Sequence, residues 1–264
     1  IDSSDLGETH LEEMKQALLE KMPRIVFSYS STLVELAKYI ERTEIPKNGF
    51  SMRSVLTGGE GISEENRHLL ERVFGCTVYR RYSDMELGIL GQDNGNGSEY
   101  LLNWGSYYFE CLKVDSDEPA NLGEAGRIVI TDLFNYAFPM IRYDTGDLGV
   151  MEYPENGGFP KLKEIYGRVR DCVYTVDGSL VSPAKISVMM WGAEGIKQWQ
   201  FIQEDKDRYV LRLNCENEIS EQYFVDKFKE LLGQTAKIEI EYVDEIPVTS
   251  SNKRRAVICN YQKE

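Results

Sequence analysis

Nowhere in this chain does an apolar run approach the roughly 20 residues needed to cross a bilayer. The start, Ile1 to His10, is acidic, not a basic leader followed by an apolar stretch. The expectation is a cytoplasmic protein with no membrane partner. The five cysteines, Cys76, Cys111, Cys172, Cys215 and Cys259, are odd in number, far apart and form no C-x-x-C pair. That argues against a disulfide framework and a thiolate zinc site, and for scattered core thiols. Histidine is scarcer still, with only His10 and His68. His68, flanked by Leu69 on an expected helix, reads as structural and not catalytic. Positive charge is in deficit as well. A formal net charge of -14 repels polyphosphate backbones, and no local basic stripe overrides it, so general nucleic-acid binding is excluded. An anionic small substrate must rely on a few well-placed cations and backbone amides.

What is present is ordinary for a globular chain: 264 residues, 42% hydrophobic and 28% charged, long enough for one large domain or two unequal ones. Two is the reading taken. Leu11, Met14, Leu18 and Met22 recur at helical spacing, Arg24 to Ser28 reads as a strand, and Leu33, Leu36, Ala37 and Ile40 mark a second helix capped by Ser30 or Ser31. A strand at Arg53 to Thr57, a helix from about Ser63 to Phe74 and a strand at Cys76 to Tyr82 continue the alternation. This resembles part of a parallel sheet covered by helices, with ligands beyond the carboxyl ends of the strands. From about Tyr100 to Ile165, short strands broken by turn clusters such as Asp93 to Gly97 and Gly157-Gly158 favour an antiparallel, barrel-like subdomain. After Gly167 a compact α+β pattern follows, with strands at Gln198 to Ile202, Tyr209 to Leu213 and Lys237 to Val243, and a helix from Ser220 to Leu232 ended by Gly233. The fold class expected is α/β: a partial parallel sheet with helices, the barrel-like part, then a small α+β domain.

Five segments could carry chemistry. In Thr57-Gly58-Gly59-Glu60 two glycines let backbone approach a base or a phosphate; an ordinary strand-to-helix turn is the alternative. Tyr82-Ser83-Asp84-Met85-Glu86-Leu87-Gly88 puts a ring and carboxylates in the loop after a strand, where Tyr82 could stack on a purine and Glu86 hold magnesium, or where the loop is merely solvated. In "FPMIRYDTGD", Asp147 could accept both hydroxyls of a ribose and Arg142 could face phosphate, against the alternative of a surface ion pair. Tyr166-Gly167-Arg168-Val169-Arg170-Asp171 offers a planar guanidinium and a polar joint, or a charged connector. Pro247 to Arg255 carries three cations in a row, from which a lysine could swing onto a phosphate, or which form merely a solvated basic terminus.

Taken in this order and spacing, together with Gly123-Glu124-Ala125-Gly126-Arg127-Ile128-Val129-Ile130-Thr131, the segments resemble the adenylate-forming (acyl-activating) ligase superfamily. The branch is that of phenylacetate-CoA ligase and its CapK-like relatives encoded with capsular polysaccharide genes. The resemblance runs from about Pro23 to Ile258. It implies an AMP-forming carboxylate-CoA ligase that uses ATP, magnesium and coenzyme A on a small aryl or acyl acid, with a homodimer among the forms allowed. It further implies that Gly58, Gly59, Glu60 and Ser83 border the nucleotide, Tyr82 stacks on adenine and Glu86 binds magnesium. Asp147 and Arg168 would hold the ribose, Arg170 and Asp171 the hinge, Gly178 would meet coenzyme A, and Lys253 would be the adenylation lysine. Residues 1-167 would be the C-terminal part of the large AMP-binding domain, sheet to 99 and barrel-like from 100, and 168-264 the small mobile domain.

Three departures accompany the resemblance. The family's Ser/Thr/Gly-rich phosphate loop should precede Ile1, since Ser28 to Thr32 lacks the glycines to replace it, so a fragment with poor activity of its own is expected. Asn252 stands where a glycine is usual, and Arg170 where an acidic residue or lysine is commoner. Acyl transfer from acyl-AMP to an acceptor other than coenzyme A, in polysaccharide modification, is the alternative enzyme reading. A degenerate nucleotide-binding module is the non-enzymatic one.

Overall fold

A computed structural model of the chain describes residues 5–43, 49–96, 99–154, 157–190, 195–215, 219–246 and 255–262. It divides into two compact units, Ile1–Thr145 with Gly149–Ile165, and Gly146–Leu148 with Tyr166–Glu264. The first begins with α1 (Glu8–Lys21), β1 (Ile25–Tyr29), α2 (Ser30–Thr43), β2 (Ser54–Gly58), α3 (Glu64–Phe74) and β3 (Thr77–Asp84). The strands pair in parallel, Ile25 opposite Ser54 and Ser54 opposite Thr77. The apolar stripes of the three helices close on them: Leu11, Leu33, Ile40, Leu70 and Phe74 share one core with Val55 and Val78. Met22 does not join its stripe. It is the left-handed C-cap of α1 at φ 43 and lies 59% exposed, because the helix ends one residue earlier. Helix α3 is capped at both ends: Ser63 Oγ accepts from the Asn66 amide at 3.2 Å and Gly75 closes the helix at φ 66.

The next strands are β4 (Gly88–Asp93), β5 (Tyr100–Leu102), β6 (Tyr107–Leu112), β7 (Gly126–Asp132), β8 (Tyr143–Glu152) and β9 (Lys161–Arg168). They continue the same nine-stranded sheet in the order β1-β2-β3-β4-β5-β9-β8-β7-β6. A barrel-like subdomain separate from the parallel strands is therefore not what these pairings describe. The physical reason is that β3 turns at Asp84 into a tight antiparallel hairpin with β4, and β4 then pairs with β5, Asp93 opposite Tyr100, which carries the ladder across the expected boundary at 99/100. Tyr82, Leu90, Tyr100, Phe109, Ile128, Ile130 and Leu162 form the core of this half.

The second unit holds a 3-10 turn at Val169–Asp171, β10 (Val173–Tyr174), β11 (Leu180–Val181), α4 (Pro183–Met190), β12 (Ile196–Gln203), β13 (Arg208–Cys215), α5 (Glu221–Leu232), β14 (Lys237–Tyr242) and β15 (Val257–Cys259). Four strands order as β14-β13-β12-β15, and Phe201 stacks between Tyr209 and Phe228, with ring centroids 5.8 and 4.5 Å away. Helix α4 has no signal in the sequence, since its Pro-Ala-Lys-Ile-Ser-Val-Met-Met run is too apolar to show a helical period. Among the described residues no helix is long and apolar enough to cross a membrane.

Candidate functional site

The carboxyl ends of β1 and β2 are tied together by Glu60. The first turn of α2 leaves backbone N–H groups without helical partners, and the Glu60 carboxylate accepts from the Ser31 amide at 3.0 Å. Ser30 Oγ donates to the Glu60 carbonyl at 3.1 Å. The cap expected from Ser30 or Ser31 is thus supplied by a carboxylate 29 residues further along the chain, so this side chain of the nucleotide set is engaged with the scaffold. Gly58 ends β2 where a Cβ would stand 2.8 Å from the Phe27 ring, and Gly59 follows at φ 72. Phe50 packs edge-on against Phe74, ring centroids 5.5 Å apart, beside the helical core.

Gly58 lies opposite Arg81 on the next strand, which brings Tyr82 and Ser83 into the same neighbourhood. Both sit within β3, not in a loop after it. Tyr82 is buried and meets Tyr100 edge-on, centroids 6.4 Å apart. Tyr100 is covered in turn by the Arg80 guanidinium 4.9 Å from its ring centre. Asp93 holds that arginine: with its side chain wholly buried, it accepts from Arg80 N at 2.9 Å, Arg80 Nε at 2.8 Å and Gly95 N at 3.2 Å. In the sequence Asp93 stands out only as the start of a turn cluster. The available signal was an arginine and an aspartate of opposite sign on two strands joined by a hairpin. The hairpin itself is shaped by Asp84, which accepts from the Leu87 amide at 2.6 Å, and by Tyr107, whose hydroxyl donates to the Leu87 carbonyl. Glu86 projects from its exposed tip.

Asp147 and Arg168 come together in the second unit. Asp147 is buried on β8, Arg168 ends β9, and Arg168 Nε lies 3.0 Å from Asp147 Oδ1. Gly146 stands beside the guanidinium at φ 72, a backbone conformation that L side chains rarely adopt. A carboxylate fixed by a planar fork on one oxygen is oriented to accept vicinal hydroxyls. Arg142 takes no part: it adopts φ 50, and its guanidinium pairs with Glu110 at 3.2 Å, the surface ion pair that was the alternative reading. Arg170 is 75% exposed, with Asp171 3.9 Å away, while Asp171 is paired with Arg255. Next to it, burial and then the Asp171 charge push the Cys172 thiol up to about 12.

Gly178, at φ 90, sits in the turn between β10 and β11, where its amide donates to the Thr175 carbonyl at 2.9 Å. The neighbouring Asp177 carboxyl is held below its usual range by the Thr175 hydroxyl and then the Ser179 amide. That turn would offer a coenzyme shape but no cation for its phosphates. Lys253 lies outside the described residues, as does all of 247–254. Among the described residues no group of three or more His, Cys, Asp or Glu is placed to hold a metal ion. A lone Glu86 carboxylate suits magnesium only where phosphate oxygens complete the shell, which is how that ion is commonly held. An open aromatic groove of about 570 Å³, walled by Trp104, Tyr108, Phe109, Tyr153 and Phe159, contains none of the nominated residues.

Comparison with known proteins adds the following. Residues 173–260 match the CapK C-terminal domain. The chain is 24% identical to protein CapK of Staphylococcus aureus over 247 residues, covering 90% of this chain and 53% of that protein. It is 22% identical to phenylacetate-coenzyme A ligase of Pseudomonas putida over 256 residues, covering 96% and 53%. The chain thus spans about half the length of the curated relatives it matches. In fold it resembles a 2-hydroxyisobutyryl-CoA ligase solved in the postadenylation state with an acyl-AMP, at TM-score 0.71 and 19% identity over 95% of this chain and 57% of that one. It also resembles the O-succinylbenzoate coenzyme A synthetase of Bacillus subtilis solved with ATP and a magnesium ion, at TM-score 0.69 and 17% identity over 93% and 53%.

Proposed function

We propose, for a chain that belongs to the adenylate-forming ligase superfamily beside CapK and the phenylacetate-CoA ligases, that its parent protein activates a small carboxylic acid with ATP and passes the acyl group to coenzyme A. The observation that carries this reading is the Asp147–Arg168 pair, a buried carboxylate aligned by a half-exposed guanidinium at 3.0 Å. In the reaction the acid's carboxylate attacks the α-phosphate, a P–O bond forms and pyrophosphate leaves. Such an in-line displacement needs positioning and charge neutralisation more than a protein nucleophile. Asp147 orients the ribose, Gly58 and Gly59 let backbone approach the base, and Tyr82 bounds the base from β3. Glu86 would hold magnesium, whose charge would neutralise phosphate oxygens, and Lys253 would neutralise charge on the α-phosphate. Glu60 acts at one remove, by keeping the β2 end and the start of α2 together.

Transfer to an acceptor other than coenzyme A is a second reading. It is favoured by the match of residues 173–260 to a CapK domain and by the absence of a cation in the Gly178 turn. Pyrophosphate release from the full-length parent, with magnesium and ATP across a panel of aryl and fatty acids, with and without coenzyme A, tests both. Acid-dependent release that is lost in Asp147→Asn and Lys253→Ala supports the activation step, and coenzyme dependence of the product separates the acceptors. A folded parent that releases no pyrophosphate with any acid refutes the ligase reading.

A further inference from the structure

The aromatic groove in the antiparallel half of the sheet takes no part in the proposed reaction. Its volume, about 570 Å³, lies within the roughly 300–1,000 Å³ of small-molecule sites. Its wall is built ring on ring. Phe159 stacks on Trp104, centroids 5.6 Å apart and planes 21° from parallel, while Tyr108 and Phe109 meet Trp104 edge-on at 6.1 and 5.1 Å. Trp104 is locked as wall, since its Nε1 donates to the Pro160 carbonyl at 2.8 Å. Phe159 is 70% exposed, so a large ring is held against the tryptophan with its other face open to water, an arrangement that marks a binding surface.

The polar groups of the groove are few and uncharged. None of its nine lining residues is acidic or basic, in a chain that is 28% charged. The Tyr108 and Tyr153 side chains are exposed, and among the described residues neither hydroxyl has a hydrogen-bond partner. Thr131 Oγ1 accepts from the Arg142 amide at 3.0 Å and keeps its own proton for a ligand.

Such a surface selects its occupant. A carboxylate or a phosphate would lose hydration there without meeting a cation. A peptide would add to β6, the outer strand of the sheet, but Tyr107 N, Cys111 O and Lys113 N are already bonded to Asn103 O, Ala120 N and Glu118 O. A plain hydrocarbon would strip water from three hydroxyls and answer none of them. A neutral ring that carries both C–H faces and hydroxyls satisfies every part. Its C–H groups pack on the electron-rich open face of Phe159, and its hydroxyls exchange hydrogen bonds with Tyr108, Tyr153 and Thr131. We propose that the groove is a binding site for a neutral saccharide, a short chain of uncharged pyranose units. The site lies wholly within the first unit and is independent of the ligase reading.

Titration calorimetry of the full-length parent, without ATP, tests this with maltotriose, cellotriose and N-acetylchitotriose as probes. At least one binds with a Kd of about 1 mM or tighter. Phe159→Ala weakens that binding about tenfold by removing the stacking face, and Tyr108→Phe and Tyr153→Phe weaken it about fivefold each by removing one hydroxyl. A trisaccharide of glucuronic acid binds at least about tenfold more weakly than the neutral sugars, for want of a cation. All three side chains are exposed, so the variants keep the wild-type thermal midpoint, and lost affinity is then not lost folding. No binding by any neutral probe, or binding that Phe159→Ala leaves unchanged, overturns the proposal. Sugar binding indifferent to both tyrosine changes also overturns it, since the phenol hydroxyls would then play no part in recognition. Dimerisation of the parent in sedimentation that Phe159→Ala abolishes, with no sugar bound, assigns the groove to a second copy instead.

Discussion

Replacing Asp93 by alanine tests how the first unit holds Tyr82. Three donors lose their acceptor at once: Arg80 N at 2.9 Å, Arg80 Nε at 2.8 Å and Gly95 N at 3.2 Å. The Asp93 side chain is wholly buried and that of Arg80 is 16% exposed, so the stranded guanidinium cannot readily recover its hydration. Removing one partner of a buried pair costs about 3–5 kcal/mol. With a urea slope of roughly 2 kcal/mol/M the midpoint falls by about 1.5–2.5 M. Trp104 emission reports the first unit once Trp191 and Trp199 are replaced by phenylalanine. A freed Arg80 also leaves the Tyr100 ring, against which Tyr82 rests, so under the proposed ligase function the parent's affinity for ATP should fall as well. A loss under about 1 kcal/mol, or an equal loss in an Arg80→Ala background, refutes the reasoning, because the coupling would then be absent.

Other perturbations probe separate features. Ser63→Ala removes the side-chain oxygen that accepts from Asn66 N and should cost about 1 kcal/mol in the same urea titration; no change would mean the cap is dispensable. Gly95→Ala places a Cβ 2.6 Å from Thr77 Cγ2 on backbone at φ 84, so a loss of about 2 kcal/mol or more is expected, and a neutral substitution would contradict the geometry. In the second unit, burial raises Cys172 from 9.0 to about 12 and Tyr209 from 10.0 to about 12. The folded state keeps protons that the unfolded chain releases, so stability is level below pH 9 and falls as pH rises from 9 toward 12. Cys172→Ala should remove the part of that decline that begins at pH 9, as read by denaturation at pH 8 to 11. Identical alkaline profiles in wild type and variant would exclude the buried thiol as its source.

The legible parts of this molecule are those whose cause is local. Leu33, Leu36, Ala37 and Ile40 recur at the helical period, so the buried face of α2 can be read without knowing what covers it. Ser63 and Gly75 punctuate α3 by their own backbone chemistry. Asp147 and Arg168 were recognisable from the motifs around them, and they meet at 3.0 Å. What escaped depends on partners distant along the chain. The helix cap from Glu60, the clamp of Asp93 on Arg80 and the pairing of Asp171 with Arg255 join residues 29, 13 and 84 positions apart. The continuation of the parallel strands into the antiparallel ones turns on a hairpin register that hydrophobic pattern alone does not encode. Periodicity and capping are properties of a few consecutive residues and survive in the linear chain. Which carboxylate answers which cation is decided only when folding excludes water and leaves each buried charge a single neighbour within reach.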